Sequence, residues 1–185
     1  MHLLRLLRIF IPVLVIAAIV AGVIVVLTSR TELQSARRQM NAAWQPLRTE
    51  LDTRYTVLAA TDHSLKSIPG PLHRIVVQVE SAANDWRGLR TNGGSVASQV
   101  TTANELEALG RRLVQAARAA PRLQGKPELA TINSYASSAP PRGAITPFEA
   151  AVSRYERERN RPARRLAARI LGYKSVPAYD APGSA

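Results

Sequence analysis

Residues 33–65 read LQSARRQMNAAWQPLRTELDTRYTVLAATDHSL, and the placing of their apolar positions decides the fold class. Leu33, Met40 and Leu47 recur on one line, with Trp44, Leu51, Leu58 and Leu65 on the next. A heptad of large apolar side chains separated by polar ones is the pattern of a long helix with a narrow buried seam, as in coiled coils. Pro46 removes a backbone donor and predicts a kink near Ala42 to Gln45. Ile68-Pro69-Gly70-Pro71 is expected to end the helix.

Upstream, Ile9 to Leu27 (IFIPVLVIAAIVAGVIVVL) carries no charge and would span roughly 28 Å as a helix. That nearly matches a bilayer hydrocarbon core of about 30 Å. A cleaved signal peptide normally has an apolar run of about 7 to 15 residues ending at a small-x-small site. Here GVIVVL continues past the only Ala-rich stretch, so the segment reads as an uncleaved transmembrane anchor over residues 9–29, after a short basic N-terminus of residues 1–8. The expected location is the cell membrane, single-pass. Arg5 and Arg8 precede the segment while Arg30, Arg37 and Arg38 follow it, so the positive-inside rule leaves the side of the domain open.

Downstream, a second apolar stripe (Leu72, Ile75, Val76, Val79, Ala83, Trp86 and Leu89) stops at Asn92-Gly93-Gly94. A third helix should begin near Ser95, present Val96, Val100, Ala103, Leu106, Leu109, Leu113 and Ala117, and stop before Pro121. Residues 122–147 are less regular, with a short helix suggested at 128–135 and a loop over 137–143. The last helix has a start signal in Thr146, Pro147 and Glu149, an apolar face of Phe148, Val152, Tyr155, Leu166 and Ile170, and an interruption at Pro162. No long run alternates with period two. The expected fold is therefore all-α: a transmembrane helix, an antiparallel four-helix bundle over residues 30–173, and a C-terminal tail over 174–185.

Cysteine is absent, which removes disulfides and thiolate chemistry. The 25 Lys and Arg against 13 Asp and Glu give a net charge of +12, and the excess lies mainly beyond the hydrophobic segment. Such an excess favours anionic partners. Arg154, Arg157, Arg161 and Arg164 recur at three and four residues and, with Arg165 and Arg169, form a candidate lipid- or partner-binding stripe. Bundle geometry predicts that the fourth helix returns this basic end to the anchor, beside Arg30, Arg37 and Arg38, with Arg87 and Arg90 closing the second helix there.

Other signals are weak. Asp62-His63 and His73 are too few for a catalytic metal site, which normally takes three matched protein ligands. Asn92-Gly93-Gly94-Ser95 lacks the Gly-Lys-Ser/Thr of a phosphate loop and reads as a turn. Glu105/Glu107 and Glu156/Glu158 are two residues apart, so on a helix each pair diverges; all four are expected in solvent. Trp44 and Trp86 fall on apolar stripes and are expected in the core.

Three groups of residues stand together: Ala43-Trp44 with Leu51 and Arg54; Asn104-Glu105-Leu106 through Leu113, with Ala120-Pro121-Arg122-Leu123 and Pro127-Glu128-Leu129; and Phe148-Glu149-Ala150-Ala151-Val152 with Tyr155, Arg161-Pro162, Leu166-Ala167, Ile170-Leu171-Gly172-Tyr173 and Pro177-Ala178-Tyr179. With them the chain resembles a divergent member of the LemA family of bacterial membrane proteins, carrying Thr56-Val57-Leu58-Ala59-Ala60 where the family has IPNLV. The resemblance implies one anchor and a helical bundle in a bacterial envelope, and no enzymatic activity. The expected role is thus a non-enzymatic scaffold or adaptor with no cofactor, whose partners are another membrane protein or anionic lipid headgroups, with homo-oligomers also open. The alternative is a nucleic-acid-binding domain tethered to the membrane, which the charge fits but which lacks a reading motif.

Overall fold

The computed structural model describes the backbone of residues 2–65 and 70–182, and the side chains of residues 28–60, 65 and 70–182 except Ala163. Among these residues the chain is all-helical: α1 (His2–Leu65), α2 (Pro71–Thr91), α3 (Val96–Arg118), a 3-10 turn (Pro121–Leu123), α4 (Pro127–Ser137), α5 (Arg142–Asn160) and α6 (Pro162–Ile170). The hydrophobic segment 9–27 lies in the α1 backbone, but its side chains are outside the described residues, as are those of Asp62 and His63 and the whole of Ile68-Pro69. Among the described residues no helix is long and apolar enough to cross a membrane.

α1 continues through Pro46 without interruption. α3 starts at its expected cap, where the Ser95 hydroxyl accepts the Ser98 N–H at 3.1 Å. The fourth segment departs from expectation. α5 begins at Arg142, so Thr146 is not its cap and Pro147 sits inside the helix. Pro147 lacks the N–H that would otherwise reach the Gly143 carbonyl. Pro162 then starts a separate helix, with Arg161 as its cap residue in extended conformation.

That restart changes which residues face inward. Ala167 and Ala168 are buried in α6, whereas Leu166 and Ile170, expected on the core face, are each 67 % exposed. The stripe of α5 cannot be extrapolated across Arg161, because the extended cap residue resets the helical phase.

The chain divides into two compact units. The first comprises Met1–Gln39 with Ser153–Lys174; the second comprises Met40–Val152 with Ser175–Ala185. In the first, Ser29, Leu33, Ala36, Tyr155, Ala167 and Ala168 are buried. α6 ends in a Schellman motif: Gly172 takes a φ of 71°, its N–H reaches the Arg169 carbonyl at 3.2 Å, and the Tyr173 N–H reaches the Ala168 carbonyl at 2.9 Å. The backbone thereby turns, and Tyr173 meets the Arg37 guanidinium at 5.9 Å from the ring centre.

The second unit is a helical bundle with an aromatic centre. Trp44 lies 4.9 Å from Phe148 and 6.4 Å from Trp86, which in turn meets Tyr55 edge-on at 5.2 Å. Such tilted and edge-to-face pairs add attraction to the burial of large apolar area. Leu47, Leu51, Leu58 and Leu65 continue the α1 seam, and Val76, Val79, Val100, Leu106, Leu113 and Ile132 fill in around it. α3 runs alongside α1 in the same direction, since Trp44 bonds Gln99 and, further along, Arg54 bonds Glu107. α4 returns along α3, placing Tyr135 against Gly110. A Cβ on Gly110 would lie 2.6 Å from Tyr135 Cε1, so only glycine lets that ring approach.

Candidate functional site

The predicted arginine stripe is divided by the break at Pro162. Arg154 and Arg157 sit on α5, Arg161 caps α6, and Arg164, Arg165 and Arg169 sit on α6. All belong to the first unit, which also holds residues 1–39 and hence Arg30, Arg37 and Arg38. They are not equivalent. Arg164 is only 20 % exposed, paired closely with Glu158 and 4.0 Å from Glu32 on α1. Arg161 bonds the same Glu158 at 3.0 Å. Arg154, Arg157, Arg165 and Arg169 are exposed and form no ion pair among the described residues. Arg87 and Arg90 lie in the second unit, where Arg90 is held on Asp52 at 2.6 Å.

Glu156 and Glu158 therefore serve as partners. Glu156 accepts from Arg159 at 2.8 Å, and Glu158 binds two arginines. The Tyr155 hydroxyl donates to the Lys174 carbonyl at 2.7 Å; burial, with the nearby Glu156 charge, raises its pKa. Arg159, Asn160, Arg165, Ala168, Arg169 and Tyr173 enclose a recess of about 80 Å³ between the end of α5 and α6. Three cationic side chains line it, and no acidic one does.

In the second unit the residues with the strongest interactions are internal. Glu107, expected in solvent, is 0 % exposed. It accepts from Arg54 Nε at 2.9 Å and Nη2 at 3.0 Å, from Tyr179 at 3.1 Å and from Tyr135 at 3.3 Å. Arg54, 4 % exposed, also donates through Nη1 to the Tyr135 carbonyl at 2.6 Å and the Ser138 hydroxyl at 3.2 Å, and lies 3.9 Å above the Tyr135 ring. The bidentate fork is the strong form of a charge-assisted pair. Burial alone would lower the Arg54 pKa, but the hydrogen bond and charge of Glu107 outweigh it and raise it. Tyr135 and Tyr179 are pushed far above the ordinary phenol value by burial and then by Glu107.

A second polar cluster is more open. Asp52 accepts from Trp86 Nε1 at 2.8 Å and Arg90 Nε at 2.9 Å. They border a groove of about 700 Å³ that Tyr55, Ala59, Ala60 and Ala83 also line. Arg48 has its pKa lowered by burial and by Arg90, against the opposing charge of Asp52. His73 is exposed, and among the described residues no group of three His, Cys, Asp or Glu is arranged to hold a metal ion.

Sequence reading missed Arg54–Glu107 as a pair, although its signal was present. Glu107 stands four residues after Ala103 and three before Gly110, so it lies on the same stripe as its apolar neighbours. Leu166 and Ile170 were assigned to the wrong side for want of any signal fixing the phase after Pro162. The chain matches no protein-family profile, no curated protein and no solved structure.

Proposed function

We propose that the chain is a non-enzymatic, single-pass membrane protein whose helical domain acts as a scaffold or adaptor for another membrane protein and for the anionic lipid surface. The observation that carries this reading is the continuity of α1. One 64-residue helix contains both the uncharged segment 9–27 and the heptad seam that supplies the bundle core. A helix that runs from the uncharged segment into the seam leaves no loop between them, which suits an adaptor better than a flexible tether would.

The chemistry inside the second unit supports the same reading. Its two buried charges satisfy each other and two phenols, so they stabilise one conformation of the bundle.

The test is alkaline carbonate extraction of membranes from cells expressing the chain at native level, with a reporter fused at Ala185 to map the side of the domain. Retention in the membrane pellet is expected. Release into the supernatant refutes the anchor, and detergent co-purification that recovers no membrane-protein partner counts against the adaptor role.

A further inference from the structure

α6 presents two adjacent rows to solvent. At about 100° per residue, Leu166 and Ile170 make one row, and Arg165 and Arg169 make another about 100° away. The opposite face, with Ala167 and Ala168, is buried. Leu166 and Ile170 are two of the three large apolar side chains that stand exposed among the described residues; the third is Val77. An exposed apolar row beside a cationic row on a short helix is the arrangement of a segment that lies in a lipid–water interface, apolar side chains among the acyl chains and arginines at the phosphates.

Its position fits that surface. Arg164 reaches Glu32, and Tyr173, just past the helix, meets Arg37, so α6 is bracketed by α1 residues 32 and 37. Glu32 and Arg37 are five and ten residues beyond Leu27, roughly 7.5 and 15 Å along the helix, so the Arg164 end of α6 is the one nearest the bilayer. The headgroup zone on one side of a bilayer is about 5 to 8 Å deep. The recess formed by Arg159, Arg165 and Arg169 opens beside the same rows. At about 80 Å³ it has room for a small polar group.

We infer that α6 is an interfacial docking helix, with Leu166 and Ile170 inserted at the headgroup boundary and a lipid phosphate in the Arg159–Arg165–Arg169 recess. This rests on the anchored reading above. It adds a second, reversible attachment, selective for anionic lipid because Arg165 and Arg169 are exposed without an ion pair among the described residues, Arg159 being already held by Glu156.

The absence of cysteine makes the test direct. Full-length chains carrying Leu166→Cys or Ile170→Cys, labelled with an environment-sensitive fluorophore, are assembled into nanodiscs of phosphatidylcholine alone or with phosphatidylglycerol, with and without a spin-labelled quencher lipid. Arg157→Cys and Thr101→Cys are the controls. In anionic discs, quenching at 166 and 170 is expected to exceed the controls at least about threefold, as for side chains buried about 5–10 Å into the interface. Arg165→Glu with Arg169→Glu should reduce it toward control levels while the thermal melt is unchanged. Labels that stay unquenched in assembled discs overturn the inference alone. Labels shielded from aqueous iodide yet insensitive to quencher lipid indicate that protein covers the row, and also overturn it. Loss of quenching on adding inorganic phosphate at constant ionic strength would assign the recess to free anions instead. Failure of the chain to assemble into discs removes the anchored reading itself, and this inference with it.

Discussion

Arg54→Met removes the only cation held against a carboxylate that is 0 % exposed. Glu107 would lose the bonds at 2.9 and 3.0 Å and keep only two phenol donors, at 3.1 and 3.3 Å. The methionine fills much of the volume, so the loss is mainly electrostatic. Breaking a buried pair by removing one partner costs about 3–5 kcal/mol. Replacing both, in Arg54→Met with Glu107→Leu, leaves no orphan charge, so the double variant should cost less than the summed single variants by about 2–3 kcal/mol, the upper range of coupling between touching residues. The assay is urea unfolding of the full chain in detergent micelles, followed by tryptophan emission. Trp44 and Trp86 are the chain's only tryptophans, and both are buried in the second unit, so the signal reports that unit. A cost for Arg54→Met below about 1 kcal/mol, the level of an exposed pair, or strict additivity in the cycle, would refute the buried network.

Gly110→Ala should destabilise by about 1–3 kcal/mol through overpacking against Tyr135, despite the better helix propensity of alanine; a raised melting temperature would show that the ring has room to move. Trp44→Ala should cost about 3–5 kcal/mol in thermal melts, since it vacates the aromatic centre and takes the donor from Gln99 Oε1; an unchanged melt would place the ring at the surface. Burial and then the Glu107 charge hold Tyr55, Tyr135 and Tyr179 protonated in the folded state. Their contribution is complete below the ordinary phenol pKa of about 10 and is lost as pH rises from there toward the higher folded values, by about 1.4 kcal/mol per pH unit for each tyrosine. Tyr179→Phe should therefore lessen the alkaline slope by about one such step, and an unchanged slope in pH-dependent unfolding would contradict the assignment.

The seam from Leu33 to Leu65 was legible because heptad spacing is a local property, and each of its seven positions is buried. The turns after α2 and before α3 were legible for the same reason, carried by Asn92-Gly93-Gly94 and Ser95. Two kinds of feature were not. Glu107 stands on the apolar stripe of α3, but a buried charge there depends on Arg54, fifty-three residues earlier, and no local spacing names that partner. The phase of α6 depends on the backbone conformation of Arg161, which residue type does not determine. Consequently Arg154, Arg157, Arg165 and Arg169 were correctly placed outside, while Arg164 and the row of Leu166 and Ile170 were not.

The tail after α6 adds an order of events. Asn104 grips it at two points, donating to the Ala178 carbonyl at 2.8 Å and accepting the Asp180 N–H at 2.8 Å, and so delivers the Tyr179 hydroxyl to Glu107. A ribosome makes Tyr179 only after every helix of the bundle. Until then the nascent chain holds its central carboxylate with one donor missing, however well its helices have gathered. Completion of the ionic core thus waits until Tyr179 has been made, and a product truncated before it would carry its defect at a carboxylate that is 0 % exposed, where cellular proteases that sample local opening would detect it.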